Sequence, residues 1–295
     1  MKLVMRADDF GYTDIYNAGM VKTIREGIIT TVDLMLDTPG TVNAMESIKE
    51  FPWVSVGWHG GHCWGRPVMG PAEVPSLLDD AGRFKYWNNQ ELKNDVVYQE
   101  ALSECRAELA RCVQVLGFAP ICTEIGPDSI YEKAREQACR EYGVCMHYMR
   151  KKNRKTGIMN QPDEKYQELG IYMPVQHESV YKDLYADTPE ERLKYDPIRY
   201  YYEDPDHLLD EKIVITAWHP GYLDDVIYEM FPKNHFHTAR VKDIHALCSQ
   251  ELKDWVIKNH VELINMRDAL LGTNEYQNHL HAVQSSLWMG KEDHD

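Results

Sequence analysis

Leu3-Val4-Met5-Arg6-Ala7-Asp8-Asp9-Phe10-Gly11-Tyr12 is the stretch from which the fold can be read. Leu3 to Ala7 is a short apolar run that ends on a pair of carboxylates, as a buried strand does where it runs into a loop. Asp14 to Glu26 follows with helical spacing through Ile15, Ala18, Val21 and Ile24, and Gly27 closes it. The chain therefore opens strand, loop, helix.

Working outward, the unit repeats. Thr31 to Leu36 reads as a strand, Val42 to Lys49 as a short helix ended before Pro52, and Val54 to Trp58 as a third strand. A polar stretch over 65–89 reads as a long loop of the kind that usually serves a site. Leu92 to Leu116 is helical and stops at Gly117. Ala119 to Ile125 and Val144 to Tyr148 read as strands around a helix from Ser129 to Glu141. Residues 150–207 are polar, tyrosine-rich and weakly periodic, so they are expected as irregular excursions and short elements and not as a second domain. Lys212 to Ala217 is a β-branched buried strand, residues 239–258 one long helix, and Val261 to Asn265 a last strand. Residues 1–271 thus form one domain, and the tail 272–295 stands outside the repeat, packed on a neighbour or mobile.

Strands alternating with helices predict an α/β fold with a parallel sheet. Neither GxGxxG after the first strand nor GxxxxGK[ST] anywhere is present, so the usual signals of an open nucleotide-binding sheet are missing. Polar clusters instead stand just after predicted strands, which favours a single-domain, distorted (β/α) TIM-like barrel with its site at the strand ends.

The chain has 295 residues, with 32 Lys and Arg against 47 Asp and Glu, a formal charge of −15. A surface of that sign repels polyanions, which argues against nucleic acid and against an anionic membrane face as partners. No apolar run approaches spanning length and the N-terminus does not read as a secretory signal, so a cytoplasmic protein is expected. Seven cysteines without a CxxC pair suit a reducing compartment, mostly as small core residues.

Three groups of residues carry candidate chemistry. Asp8 and Asp9 follow the first strand. Adjacent side chains of an extended segment point to opposite faces, so both serve one site only where the strand has turned, a turn Gly11 would allow. Taken alone, the pair is equally what a helix N-cap cluster looks like. His59 and His62 lie among glycines in Trp58-His59-Gly60-Gly61-His62, where an imidazole at a strand end is a natural metal ligand. A hydrogen-bonded core histidine is the competing reading. His219 begins His219-Pro220-Gly221-Tyr222, a turn whose shape is fixed by proline and glycine, with Asp224 nearby to orient the ring or merely to form an acidic turn.

Val4 to Gly11, Asn17-Ala18-Gly19 with Gly27-Ile28-Ile29-Thr30-Thr31, Val56-Gly57-Trp58-His59 with Gly65-Arg66-Pro67-Val68, Pro75-Ser76-Leu77-Leu78-Asp79, and His219-Pro220-Gly221-Tyr222 occur in one order. That series resembles the YdjC-like, or ChbG/HpnK, carbohydrate deacetylases over roughly residues 2–270. The resemblance implies a distorted barrel, often dimeric, so a homodimer is the oligomer to expect. It also implies removal of acetyl groups from small N-acetylated sugars such as chitooligosaccharides with one divalent metal ion (Mg, Zn, Mn or Ni). Carried over to this chain, Asp9 and His59 bind the metal, Asp8 is the base and His219 lies beside them. Trp64, Arg66, Tyr222 and Arg240 are substrate-binding candidates. Trp87 and Tyr200 to Tyr202 are aromatic platforms for sugar rings, with core packing as the alternative.

The chain departs from the family after the fourth strand, where a histidine-rich stretch supplies the third metal ligand. Here the sequence is Pro120-Ile121-Cys122-Thr123-Glu124-Ile125-Gly126-Pro127-Asp128-Ser129. His62, Glu124 or Asp128 is left to complete the shell, and an oxygen ligand would favour a harder ion. The expected function is metal-dependent deacetylation of an N-acetylated sugar. The alternative is a degenerate member that binds carbohydrate without turning it over.

Overall fold

The computed structural model describes residues 1–61, 65–87, 89–148, 164–230 and 236–290. Eight strands form one sheet: β1 Lys2–Phe10, β2 Thr31–Leu34, β3 Ser55–Trp58, β4 Cys122–Ile125, β5 Cys145–Tyr148, β6 Ile171–Tyr172, β7 Ile213–Trp218 and β8 Glu262–Leu263. The order is β5-β4-β3-β2-β1-β7-β6, with β8 also pairing β1. Every pairing between these strands is parallel. This is the expected distorted (β/α) barrel, a parallel half-barrel sheet wrapped by helices. β5 and β6 are its two ends, and no pairing joins them among the described residues, so the barrel has a seam there.

β1 lies inside the sheet, pairing with β2, β7 and β8, and Leu3, Val4, Met5 and Ala7 give it an apolar stretch that suits burial on both faces. All of it beyond Lys2 is buried, and it pairs with β7 from Lys2 to Ala7 and with β2 from Arg6 to Phe10. The first helix, Asp14–Arg25, starts where the Thr13 hydroxyl accepts from the Tyr16 N–H at 3.1 Å. It packs tightly under the His219 loop. A Cβ on Gly221 would stand 2.1 Å from the Tyr16 ring, so only glycine lets that loop cross the helix.

The short elements expected within 150–207 include the strand β6, and the residues of that stretch up to 163 lie outside the described set. Two expectations need correction. The long helix over 239–258 is two helices, Phe236–Cys248 and Gln250–Lys258, because the Ser249 hydroxyl caps the second by accepting from Leu252 N–H at 3.1 Å. The tail is part of the body as far as residue 290. Its helix Glu275–Ala282 buries Tyr276 and Leu280, Gln277 donates to the Leu263 carbonyl at 2.8 Å, and His279 stacks on Trp53 at 3.6 Å.

The long loop packs as a cover. Leu77 and Phe84 are fully buried, and Glu104 on the helix Tyr98–Leu116 accepts from the Val68 and Met69 N–H groups at 2.6 and 2.9 Å. The six described cysteines are free thiols, four of them buried. No helix among the described residues is long and apolar enough to cross a membrane.

Candidate active site

The C-terminal ends of β1, β3, β4, β5 and β7 converge on a cavity of about 620 Å³, well within the range for a small-ligand site. Asp8 and Asp9 both line it. The expectation that neighbouring side chains diverge fails for a local reason: Asp9 itself has a left-handed backbone, φ 72°, and the β1–β2 register shifts between Ala7 and Phe10. Asp is among the few residues that tolerate this conformation, and such strain gathers at functional sites. Gly11, at φ 126°, continues the turn.

Each carboxylate is held by its own arginine. Arg6 lies along Asp8, with Nε 2.8 Å from Oδ1 and Nη2 donating to Oδ2 at 3.1 Å. Arg240, from the helix Phe236–Cys248, donates from Nη1 to Asp9 Oδ2 at 2.8 Å and to the Tyr16 hydroxyl at 2.7 Å. The other oxygen of Asp9 is 3.0 Å from His59 Nε2. Burial alone would raise the Asp9 pKa, but Arg240 and His59 override it and hold the carboxyl well below its usual range. Burial would lower His59, yet the hydrogen bond to Asp9 and the charges of Asp8, Asp9 and Asp33 raise it to about 9.

Arg6 also reaches a second group that the sequence reading did not single out. Its Nη1 is 3.4 Å from His147 Nε2, and its guanidinium lies 3.7 Å from both Asp33 and Glu124. Glu124 Oε2 in turn is 3.2 Å from His147 Nε2.

His219 is positioned by residues other than the one expected. Asp224 accepts from the Thr13 hydroxyl at 2.5 Å and from the Ile227 N–H at 2.8 Å, so it braces the loop and caps a short helix. The ring of His219 instead has Nδ1 3.2 Å from the Tyr181 hydroxyl, and its backbone N–H donates to buried Asp243 at 2.8 Å. The Tyr195 hydroxyl donates to the other Asp243 oxygen at 2.6 Å. Tyr181 gives its proton to the Ala217 carbonyl at 2.6 Å. Its oxygen is therefore left to accept from His219 Nδ1–H, and Nε2 carries the lone pair. Burial pushes the His219 pKa down to about 4, so the ring is neutral near pH 7.

Of the candidates read from the sequence, Asp8, Asp9, His59, Glu124, His219 and Arg240 share this cavity. Asp128 does not: it is 80% exposed and paired with Lys133 at 3.2 Å. Arg66 lines a separate hollow with Arg83 and Arg111, and Tyr222 is 39% exposed on the loop beyond His219, outside the cavity lining. His62 and Trp64 lie outside the described residues. Tyr200 and Tyr201 pack around Trp218 in the core, whereas Tyr202 is exposed. Among the described residues no group of three His, Cys, Asp or Glu side chains is gathered as a metal centre requires.

The family model for YdjC-like proteins matches residues 2–121. A carbohydrate deacetylase of Brevibacillus brevis is 28% identical over 91% of this chain and 99% of its own length. Carbohydrate deacetylase 2 of Listeria innocua is 24% identical over 91% of this chain and 98% of its own. A crystal structure from Enterococcus faecalis, described as a cellobiose-phosphate cleavage protein, superposes with a TM-score of 0.68 at 21% identity, covering 90% of this chain and 97% of that one. That likeness bears on the fold.

Proposed function

We propose, with membership of the YdjC-like carbohydrate deacetylase family as the premise, that this chain hydrolyses the acetamido group of an N-acetylated sugar in the cavity at the strand ends. The observation that carries the reading is the head of β1, where two adjacent carboxylates face one cavity and each is held by a separate arginine.

Amide hydrolysis needs a base for the attacking water, a stabilised oxyanion and a proton for the leaving nitrogen. Asp8 is the base: Arg6 holds its carboxylate through both oxygens, and the residue lines the cavity. The proton that Asp8 takes from the water is the one returned to the departing amine, and His219, neutral and with its lone pair on Nε2, is suited to relay it. Arg240 holds Asp9 in place from the opposite side.

Asp9 Oδ1 and His59 Nε2, 3.0 Å apart, match the spacing of two neighbouring ligands on one ion, each at about 2.1 Å. The fit is partial. The described residues supply no third donor, Arg240 occupies the remaining Asp9 oxygen, and His59 must give up its proton before it can ligate. A divalent ion held there would acidify water and polarise the acetamido carbonyl.

Calorimetric titration of chelator-treated protein with Zn, Mn, Ni and Mg tests this. One-site binding that disappears in both Asp9→Ala and His59→Ala is the expected result. Binding that survives both would remove the pair from the ligand set. Release of acetate from an N-acetyl sugar tests the reaction itself, whereas sugar binding without acetate would assign the cavity to carbohydrate recognition alone.

A pH prediction follows from His219. Its folded pKa, about 4, lies below the ordinary histidine value of 6.5, so its contribution to stability is present above pH 6.5 and lost as the pH falls toward 4. Thermal unfolding of His219→Gln should accordingly fall less steeply between pH 6.5 and 4 than that of the wild type. Parallel curves would contradict a neutral, buried ring.

A further inference from the structure

At the seam between β5 and β6 the cavity continues beyond the groups used above. Three side chains there are more than nine-tenths buried, line the cavity, and each carries a polar atom with no hydrogen-bond partner among the described residues. They are His147 on β5 (Nδ1), Tyr166 on the helix Glu164–Glu168 (hydroxyl) and Gln176 after β6 (Nε2).

None of the three is free to turn away. The Gln176 carbonyl oxygen accepts from the Ala217 N–H at 2.7 Å, which fixes the amide and leaves its NH₂ as an unused donor. His147 is held through Nε2 by Glu124 at 3.2 Å, and the Arg6 guanidinium 3.4 Å from the same nitrogen is a contact only, since an N–H that donates to the carboxylate cannot also accept. The carboxylate is the nearer neighbour, and with Nε2–H donating to it Nδ1 keeps its lone pair. Tyr166 lies against the His147 ring, with centroids 5.3 Å apart, so its hydroxyl is confined to the same side. Ile171 and Met173 line the cavity beside them.

Buried polar groups are almost always paired, because each one left unpaired costs roughly 1–3 kcal/mol. Three such atoms on one cavity wall form a preformed pattern of a donor, an acceptor and a hydroxyl, next to apolar surface. A pyranose ring presents hydroxyls at its rim and C–H groups on its face, and matches both. We propose that His147, Tyr166 and Gln176 form a hydroxyl-recognition subsite that selects the neutral sugar ring presented to Asp8. The choice of a sugar as ligand rests on the function proposed above; the unpaired atoms do not.

Binding and turnover separate the two ideas. Calorimetry with N-acetylglucosamine, its β-1,4-linked dimer and cellobiose on the full chain should show sugar binding weakened about 3- to 10-fold by Tyr166→Phe and by Gln176→Ala, as expected for one lost hydrogen bond each. A structural role would predict the reverse pattern. Because Tyr166→Phe deletes a hydroxyl that bonds nothing among the described residues, its melting temperature should be unchanged or higher. A lower melting temperature with unchanged sugar affinity would overturn the subsite. So would undiminished affinity in both variants, or failure of the wild type to bind any of the three sugars. Weakened binding without acetate release from any of them would keep the subsite and remove the deacetylase reading. Acetate release with affinities that ignore both substitutions would do the opposite.

Discussion

Replacing Arg6 with methionine should cost about 3–5 kcal/mol of folding stability, the usual penalty for removing one partner of a buried ion pair. Arg6 lies within the central strand with its side chain only 5% exposed, 2.8 Å from Asp8 and 3.7 Å from Asp33 and Glu124. Methionine fills much of the space but leaves these carboxylates without their shared cation. The loss should depend on pH, with a sign that can be worked out. Burial raises Asp33 to about 6 even with Arg6 opposing, so the stability associated with this group is present below the ordinary carboxylate value of 3.8 and lost as the pH rises through 6. Without the guanidinium that shift grows, and the deficit of Arg6→Met should be larger at pH 8 than at pH 5. Denaturant unfolding at the two pH values measures it. Equal deficits would mean that Arg6 acts through packing and not as the counter-charge. Arg6→Lys, which keeps the charge but loses the planar fork that lies along Asp8, should fall between the two.

Arg6 also shows where the sequence could have been read further. A cation inside an apolar strand that is buried on both faces must have carboxylates around it, and that signal stands in Met5-Arg6-Ala7 beside the Asp8-Asp9 pair. The same holds for Arg240 and Asp243, which sit on the inward face of their helix with Ala239, Ile244 and Leu247. The barrel itself was legible because alternating strand and helix periods need only local spacing, and Asp8, Asp9, His59 and His219 because they follow strands that end on one face. His147 was not: nothing local in Cys145-Met146-His147-Tyr148 marks it, and it reaches the cavity through the β4–β5 register that sets it beside Glu124. Nearness in sequence misled for Asp224, since the group that holds His219 comes from 24 residues away on a different helix. The two-residue strand β6 is too short to show a period.

Asp8→Asn should lower kcat for acetate release by about 10²- to 10⁴-fold, the range that general-base catalysis contributes, while KM changes little. The assignment to Asp8 and not to its neighbour follows from what each carboxylate has left to offer. Asp9 is engaged on both oxygens, by His59 at 3.0 Å and by Arg240 at 2.8 Å, and these partners hold its pKa well below the usual range against the effect of burial. Such a group is a poor proton acceptor and a good fixed point. Asp8 is bridged on both oxygens by one cation only, Arg6, with no imidazole competing for it, and the residue lines the cavity. Asparagine at position 8 keeps the size and can still accept from Arg6, so the cavity should persist and substrate should still bind, but the amide cannot take a proton from water. Asp9→Asn should act differently, weakening ion binding in calorimetry together with turnover, because the amide loses its charge and keeps an acceptor for only one of Arg240 and His59. If Asp8→Asn retained more than about a tenth of wild-type kcat, far above what loss of a general base allows, the base would have to be sought at His219. Its Nε2 lone pair makes it the remaining proton acceptor already oriented by Tyr181.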